Sequence, residues 1–268
     1  MVVKGDGTKE VYNEDKIRTS ATRVGVPVEL QAEMLQHIRG RLFDGISTRE
    51  IFAMVQEFLK HSPAPHLAMK YNLKAALAEL GPSGYPFEKY LSLLLTDLGY
   101  HTQINQTLSG ACVTHEVDIL ADKDNITYFI EAKFHKNASQ RTDVRVALYI
   151  KARFDDLVKN WNRGTAKAWL ITNTRFSTDA IKYAECQGIR LTSWGYPKGA
   201  GITDLVENTG LHPVTMIDLL STNDKMRLLA SGVVTCRQLL DPQYHSLLPG
   251  EILRLILPQL ERICQSRS

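Results

Sequence analysis

The chain has 268 residues, 44% of them hydrophobic and 23% charged, with a formal net charge of +3. That length supports two domains, or three small ones, and the ordinary charge content excludes wholesale disorder. The near-neutral balance does not by itself mark a nucleic-acid binder.

The four cysteines, Cys112, Cys186, Cys236 and Cys264, are far apart and form no C-x-x-C pair. That argues against a zinc site or a disulfide framework and fits a cytoplasmic protein. The N-terminal MVVKGDGTKE lacks an apolar signal region, and no apolar run approaches a membrane span, so neither secretion nor a membrane partner is expected.

The first eighty residues begin with two short apolar runs around Gly5-Asp6-Gly7, which predict a small hairpin. Asn13 is placed to cap a following helix. Leu30, Met34, Leu35 and Ile38 form one helical stripe, and Ile51, Val55, Phe58 and Leu59 form another, entered through Ser47-Thr48-x-Glu50. A last helix covers about 66–80. No G-x-x-x-x-G-K-[ST] is present, which argues against a P-loop ATPase.

This segment resembles the ATP-cone, a nucleotide-sensing module. The residues that carry the resemblance are Val2-x-Lys4-x-Asp6-Gly7, Glu10, Asn13-x-x-Lys16-Ile17, Asp44-Gly45-Ile46-x-Thr48-x-x-Ile51 and Ala68-x-x-Tyr71. The resemblance implies that Lys4, Lys16 and Thr48 contact the phosphates of ATP or dATP, with Glu10 and Asn13 near the nucleoside. Lysines suit that task as point charges. Gly5 and Phe52 depart from the usual pattern of the family, which has Arg at the first position and sometimes His at the second.

Gly81-Pro82-Ser83-Gly84-Tyr85-Pro86 is a breaker cluster and a natural boundary. Phe87, Tyr90, Leu91, Leu94, Leu95 and Leu98 then fall at helical spacing, ended by Gly99, with Glu88 beside the apolar stripe. A strand is predicted from Tyr100 to Leu108. His115 to Phe134 reads as a hairpin: a strand over 117–121, a turn over 122–125, and a strand over 126–134. Alternation puts Glu131 and Lys133 on one face of the second strand, and the hairpin brings Asp118 close to them.

Two carboxylates and a lysine on one sheet face suit metal-assisted phosphodiester hydrolysis, since hard oxygen ligands hold Mg²⁺ or Mn²⁺ and an ammonium offsets developing negative charge. A cross-strand ion pair is the structural reading of the same pattern. Between residues 133 and 167 nine Lys or Arg face three acids, which suits either phosphate contact or a solvated helix face. The helix over 142–161 is followed by an apolar strand at 168–172, a helix at 177–188 and a strand at 189–194, a mixed α/β order.

This order resembles the PD-(D/E)XK nuclease superfamily and, within it, the Mrr-type restriction endonuclease catalytic domain. Phe87-Glu88, Leu98-Gly99-Tyr100, Glu116-x-Asp118-Ile119, Ile130-Glu131-Ala132-Lys133-Phe134, Ile171-Thr172-Asn173, Phe176-Ser177 with Ala180, and Gly188-Ile189-x-Leu191 carry the resemblance. It implies a restriction-endonuclease-like α/β sandwich in which Asp118 and Glu131 ligate the metal and Lys133 positions the attacking water. Glu88 would serve as an auxiliary acid and Glu116 as a supporting group.

Beyond Pro197-Lys198-Gly199-Ala200-Gly201 the chain reads as a helical appendage for packing or dimerisation, which makes a homo-oligomer an expectation. A stretch over 228–240 is loosely similar to half of a helix-hairpin-helix unit. The domain map is 1–80 for the ATP-cone, 84–196 for the nuclease and 202–268 for the helical tail. The function expected is a Mg²⁺-dependent DNA endonuclease regulated by ATP or dATP. A non-catalytic, nucleotide-responsive DNA-binding protein and an RNA-directed nuclease are the alternatives.

Overall fold

The apolar stripes read from the sequence become the cores of two compact units, residues 1–73 with 216–218 and residues 74–215 with 219–268. They are seen in a computed structural model that describes residues 1–5 and 7–264. Asp6, part of the ATP-cone pattern, lies outside the described residues.

In the first unit β1 (Val2–Val3) pairs antiparallel with β2 (Lys9–Glu10), the expected hairpin, and parallel with β3 (Ile46–Ser47). Asn13 caps α1 (Glu14–Arg23): its side-chain oxygen accepts from the Asp15 amide at 2.8 Å. After α2 (Val28–Arg39), Ser47 and Glu50 close a reciprocal capping box on α3 (Thr48–Lys60). Met34, Leu35, Ile38, Val55 and Leu59 meet in the core, with Leu30 and Phe58 packed against it, and α4 (His66–Tyr71) adds Leu67 and Ala68. Both predicted stripes therefore face one interior.

α5 (Leu73–Ala78) leads to α6 (Tyr85–Asp97), β4 (His101–Ser109), β5 (Thr114–Lys123) and β6 (Ile126–Lys133). Next come β7 (Arg141–Thr142), α7 (Val144–Val158), β8 (Thr165–Thr172), β9 (Arg175–Phe176), α8 (Thr178–Cys186) and β10 (Arg190–Thr192). The main sheet has five strands in the order β10-β8-β6-β5-β4. β4, β5 and β6 are antiparallel neighbours, whereas β6, β8 and β10 run parallel. Phe129 on one side of β6 packs against Phe154 of α7 and against Trp161, with ring centroids 5.8 and 4.8 Å apart. Phe134, of opposite parity, meets Phe87 of α6 at 5.7 Å. Helices thus cover both faces.

The β5–β6 turn is tighter than the four residues the composition suggested. Asp122 and Lys123 pair with Thr127 and Ile126, leaving Asp124 and Asn125 as the turn, at φ 52° and 60°. Two positive φ values are what a twisted two-residue hairpin requires, and Asp and Asn tolerate them.

The tail comprises α9 (Ile202–Thr209), α10 (Thr222–Ala230) and α11 (Gly250–Ile263), with 3-10 turns at Val214–Met216, Arg237–Leu240 and Pro242–Leu247. It packs on the second unit: the Tyr90 hydroxyl donates to Leu211 O at 2.8 Å and Thr215 to Ala76 O at 2.6 Å. The segment similar to half a helix-hairpin-helix keeps its amides for itself. Those of Gly232 and Val233 donate to Leu229 O and Leu228 O, and those of Val234 and Thr235 donate to the Gln238 side chain. No amide of these four is left to face a phosphate.

Candidate functional site

Asp118 sits where both of its ladders break. β4 pairs with β5 at Ile104↔Ile119 and again at Gln106↔Val117, while Asn105 between them adopts φ 52°. On the other side the β5–β6 ladder ends at Ile119↔Ile130. The Asp118 carboxylate fills the gap by accepting from the Ala132 amide at 2.7 Å. Backbone irregularity of this kind is kept where the surrounding structure holds it, often at functional sites. Continued one residue further, the register would set Asp118 opposite Glu131, so the two carboxylates share a face.

Their electrostatics record that closeness. Loss of water, then the Glu131 charge, pushes the Asp118 carboxyl up to about 6. Glu88, in the first turn of α6, is pushed up to about 7 by desolvation and then by Asp118, Glu116 and Glu131. The fold therefore gathers Glu88, Glu116, Asp118 and Glu131 into one negative neighbourhood. Lys133 follows Glu131 by two residues on the same face of β6, and no hydrogen bond or ion pair engages its ammonium among the described residues.

The sequence reading missed the partner of Glu131. Arg153 of α7 donates to Glu131 Oε2 at 2.6 Å and to Glu116 O at 3.0 Å, and its other terminal nitrogen donates to the Tyr149 hydroxyl at 2.7 Å. The guanidinium also lies 4.6 Å from the centre of the Tyr149 ring. Only its place in the basic run signalled it, because a helix residue's partner across a sheet has no sequence period. A second missed feature is a buried chain of polar groups behind Lys133. His135 Nε2 meets Thr142 Oγ1 at 2.8 Å, and Thr142 donates to Thr172 Oγ1 at 3.1 Å. Asn173 clamps the His135 backbone with two bonds of 2.8 Å each.

No group of three or more His, Cys, Asp or Glu side chains converges on a metal-binding position among the described residues. Two carboxylates nevertheless fit Mg²⁺ or Mn²⁺, because Mg²⁺ keeps several waters and takes one or two carboxylates together with substrate phosphate.

In the first unit Glu10, Asn13, Lys16 and Thr48 line one cavity of about 190 Å³, together with Ser20, Phe52 and Tyr71. Phe52 stacks on Tyr71 at 5.5 Å and 29°. This gives the departure at position 52 an apolar wall to build. Lys4 is not among the lining residues; its ammonium pairs with Glu10 Oε2 at 2.7 Å, the same oxygen that Lys16 holds at 2.7 Å. Lys16 and then Lys4 keep the Glu10 carboxyl below its usual range. Asn13 spends its side-chain oxygen on the helix cap.

Residues 81–194 match the Mrr_cat family model, described as restriction endonuclease, and residues 1–74 match the ATP-cone model, described as ATP cone domain. An uncharacterized protein of Archaeoglobus fulgidus is 41% identical over 150 residues, which is 55% of this chain and 82% of that protein. The crystal structure of AF1548, a protein of unknown function, aligns with a TM-score of 0.58 at 34% identity, covering 68% of this chain and 98% of that one. No helix among the described residues is long and apolar enough to cross a membrane. The broken ladders around Asp118, the carboxylate cluster and these matches agree: the chain belongs to the restriction-endonuclease family with an Mrr_cat domain, here preceded by an ATP-cone.

Proposed function

We propose that the second unit hydrolyses DNA phosphodiester bonds and that the first binds ATP or dATP as a regulatory ligand. One observation carries the nuclease reading: Asp118, Glu131 and Glu88 crowd together, and Lys133, two residues after Glu131 on the same face of β6, has no acid partner among the described residues. The raised pKa values of Asp118 and Glu88 mark a candidate functional site, and a cation would relieve the repulsion between its carboxylates.

Asp118 and Glu131 would hold Mg²⁺ or Mn²⁺, which supplies Lewis acidity toward the phosphate and lowers the pKa of a bound water. The chain's own groups do the rest. The Ala132 amide fixes the Asp118 carboxylate, and Arg153 fixes that of Glu131. Lys133 orients the attacking water and offsets negative charge as it grows on the phosphate. Glu88, pushed up to about 7, can hold or release a proton near neutrality.

The test is nicking of supercoiled plasmid with Mg²⁺ or Mn²⁺, with EDTA and Glu131→Gln as controls, each with and without ATP. Metal-dependent nicking that the variant lacks supports the reading, and its absence under every condition sinks it.

The Arg153–Glu131 pair favours a second reading, a DNA-binding scaffold in which a guanidinium has taken the place of the cation. Lys133→Ala separates the two. The enzyme loses cleavage and keeps most of its DNA affinity, whereas the scaffold has no cleavage to lose.

A further inference from the structure

β7 and β9 form a small parallel ribbon apart from the main sheet, and its register sets Arg141 beside Arg175. Both arginines are exposed, and neither side chain has a hydrogen bond or ion pair among the described residues. Other arginines nearby in sequence are satisfied: Arg145 pairs with Asp143 at 2.5 Å and Arg153 with Glu131 at 2.6 Å. Like charges set side by side on strands oppose pairing. The ribbon is nonetheless held: Ser177 N donates to Thr142 O at 2.9 Å, and the Thr142 side chain is buried in the network with His135 and Thr172.

That network also places the ribbon. Thr172 is the register partner of Lys133, and Thr142, bonded to Thr172, is the neighbour of Arg141. The strand positions of the two arginines are therefore anchored at the end of β6 and β8 that carries Lys133. Lys74 registers the same positive field: burial, and then the Arg175 charge, lowers its pKa. Two unneutralised guanidinia on neighbouring strands suit an anion with several acceptor oxygens, because each can bond a phosphate through two N–H groups.

We propose that Arg141 and Arg175 form a phosphate-binding subsite for the DNA backbone flanking the bond cut at Asp118, Glu131 and Lys133. This subsite rests on the nuclease reading.

Binding of a duplex DNA oligonucleotide is measured by fluorescence anisotropy in EDTA, where cleavage does not contribute, across about 50–200 mM salt, the range over which counterion release is read. Two phosphate contacts should add roughly 1.8 to the magnitude of the log–log salt slope. The R141Q/R175Q variant should lose that amount and bind about tenfold or more weakly at the low-salt end. R141Q and R175Q alone should each lose about half of the slope change, and R141K/R175K should keep the slope while losing affinity. A wild-type slope in the single and double glutamine variants, in a protein that does bind DNA, overturns the subsite and leaves the nuclease reading standing. No salt-dependent DNA binding by the wild type overturns the subsite, and the plasmid-nicking test decides the nuclease reading separately.

Discussion

Replacing Arg153 by leucine should destabilise the second unit through Glu131. The two side chains are 15% and 16% exposed and bond at 2.6 Å, so the pair is largely desolvated. Removing one partner of a buried pair leaves the other charge uncompensated, at a cost of roughly 3–5 kcal/mol when burial is complete. Residual exposure lowers that to about 2–4 kcal/mol. For a domain of this size each kcal/mol is worth roughly 2–4 °C, so melting should fall by about 4–16 °C. The assay is thermal unfolding followed by circular dichroism, on Arg153→Leu, Glu131→Gln and the double variant.

Glu131→Gln removes the stranded charge, so the double variant should be more stable than the sum of the single losses by about 1 kcal/mol or more. Millimolar Mn²⁺ should restore stability to Arg153→Leu more than to the wild type, because a cation can then take the freed carboxylate. Strict additivity, or a melting point for Arg153→Leu within about 1 °C of wild type, would refute the reasoning.

Glu88 has a folded-state pKa raised to about 7 from an ordinary 4.5, so it binds more protons folded than unfolded. Its contribution is fully present below about 4.5 and is lost as pH rises through 7. Glu88→Gln should flatten melting temperature against pH in that window and stabilise the unit at pH 8; a lower melting point at pH 8 would contradict it. Glu10 holds both Lys4 and Lys16 on one oxygen, a pairing that would compete with the proposed triphosphate. Glu10→Gln should bind ATP or dATP roughly fivefold tighter by calorimetry, the scale of one unit charge at close range in water. Weaker binding would instead assign Glu10 to the nucleoside. At the β4–β5 tip the Asp156 carboxylate meets His115 Nε2 at 2.8 Å and accepts from the amides of Cys112 and Val113. These contacts, His115 first, hold its carboxyl well below the usual range. Asp156→Asn should speed hydrogen exchange at Cys112 and Val113, and unchanged exchange there would remove this clamp from the account.

Local chemistry was legible in the sequence because it depends on neighbours along the chain. The Asn13 cap, the Ser47–Glu50 box and the 3.6-residue stripes of α2 and α3 each follow from residues within a turn or two. Alternation likewise placed Glu131 and Lys133 on one face of β6, and the hairpin brought Asp118 to the same neighbourhood. Local signals compete at the β5–β6 turn. Four turn formers at 122–125 concealed a two-residue turn, because Asp122 and Lys123 gain more from cross-strand pairing than from the turn.

Contacts made across many residues were decided only by the tertiary structure. Arg153 meets Glu131 because α7 packs on the β6 face through Phe154 and Phe129, and nothing in the spacing of positions 131 and 153 encodes that packing. Glu88 acquires its raised pKa from carboxylates on β5 and β6, far along the chain. Arg141 and Arg175 become neighbours because the His135–Thr142–Thr172 network pins their ribbon at the end of the sheet. Composition and period determine which elements form and which side chains share a face. Which charges meet, and how much water is left around them, depends on how those elements close on one another.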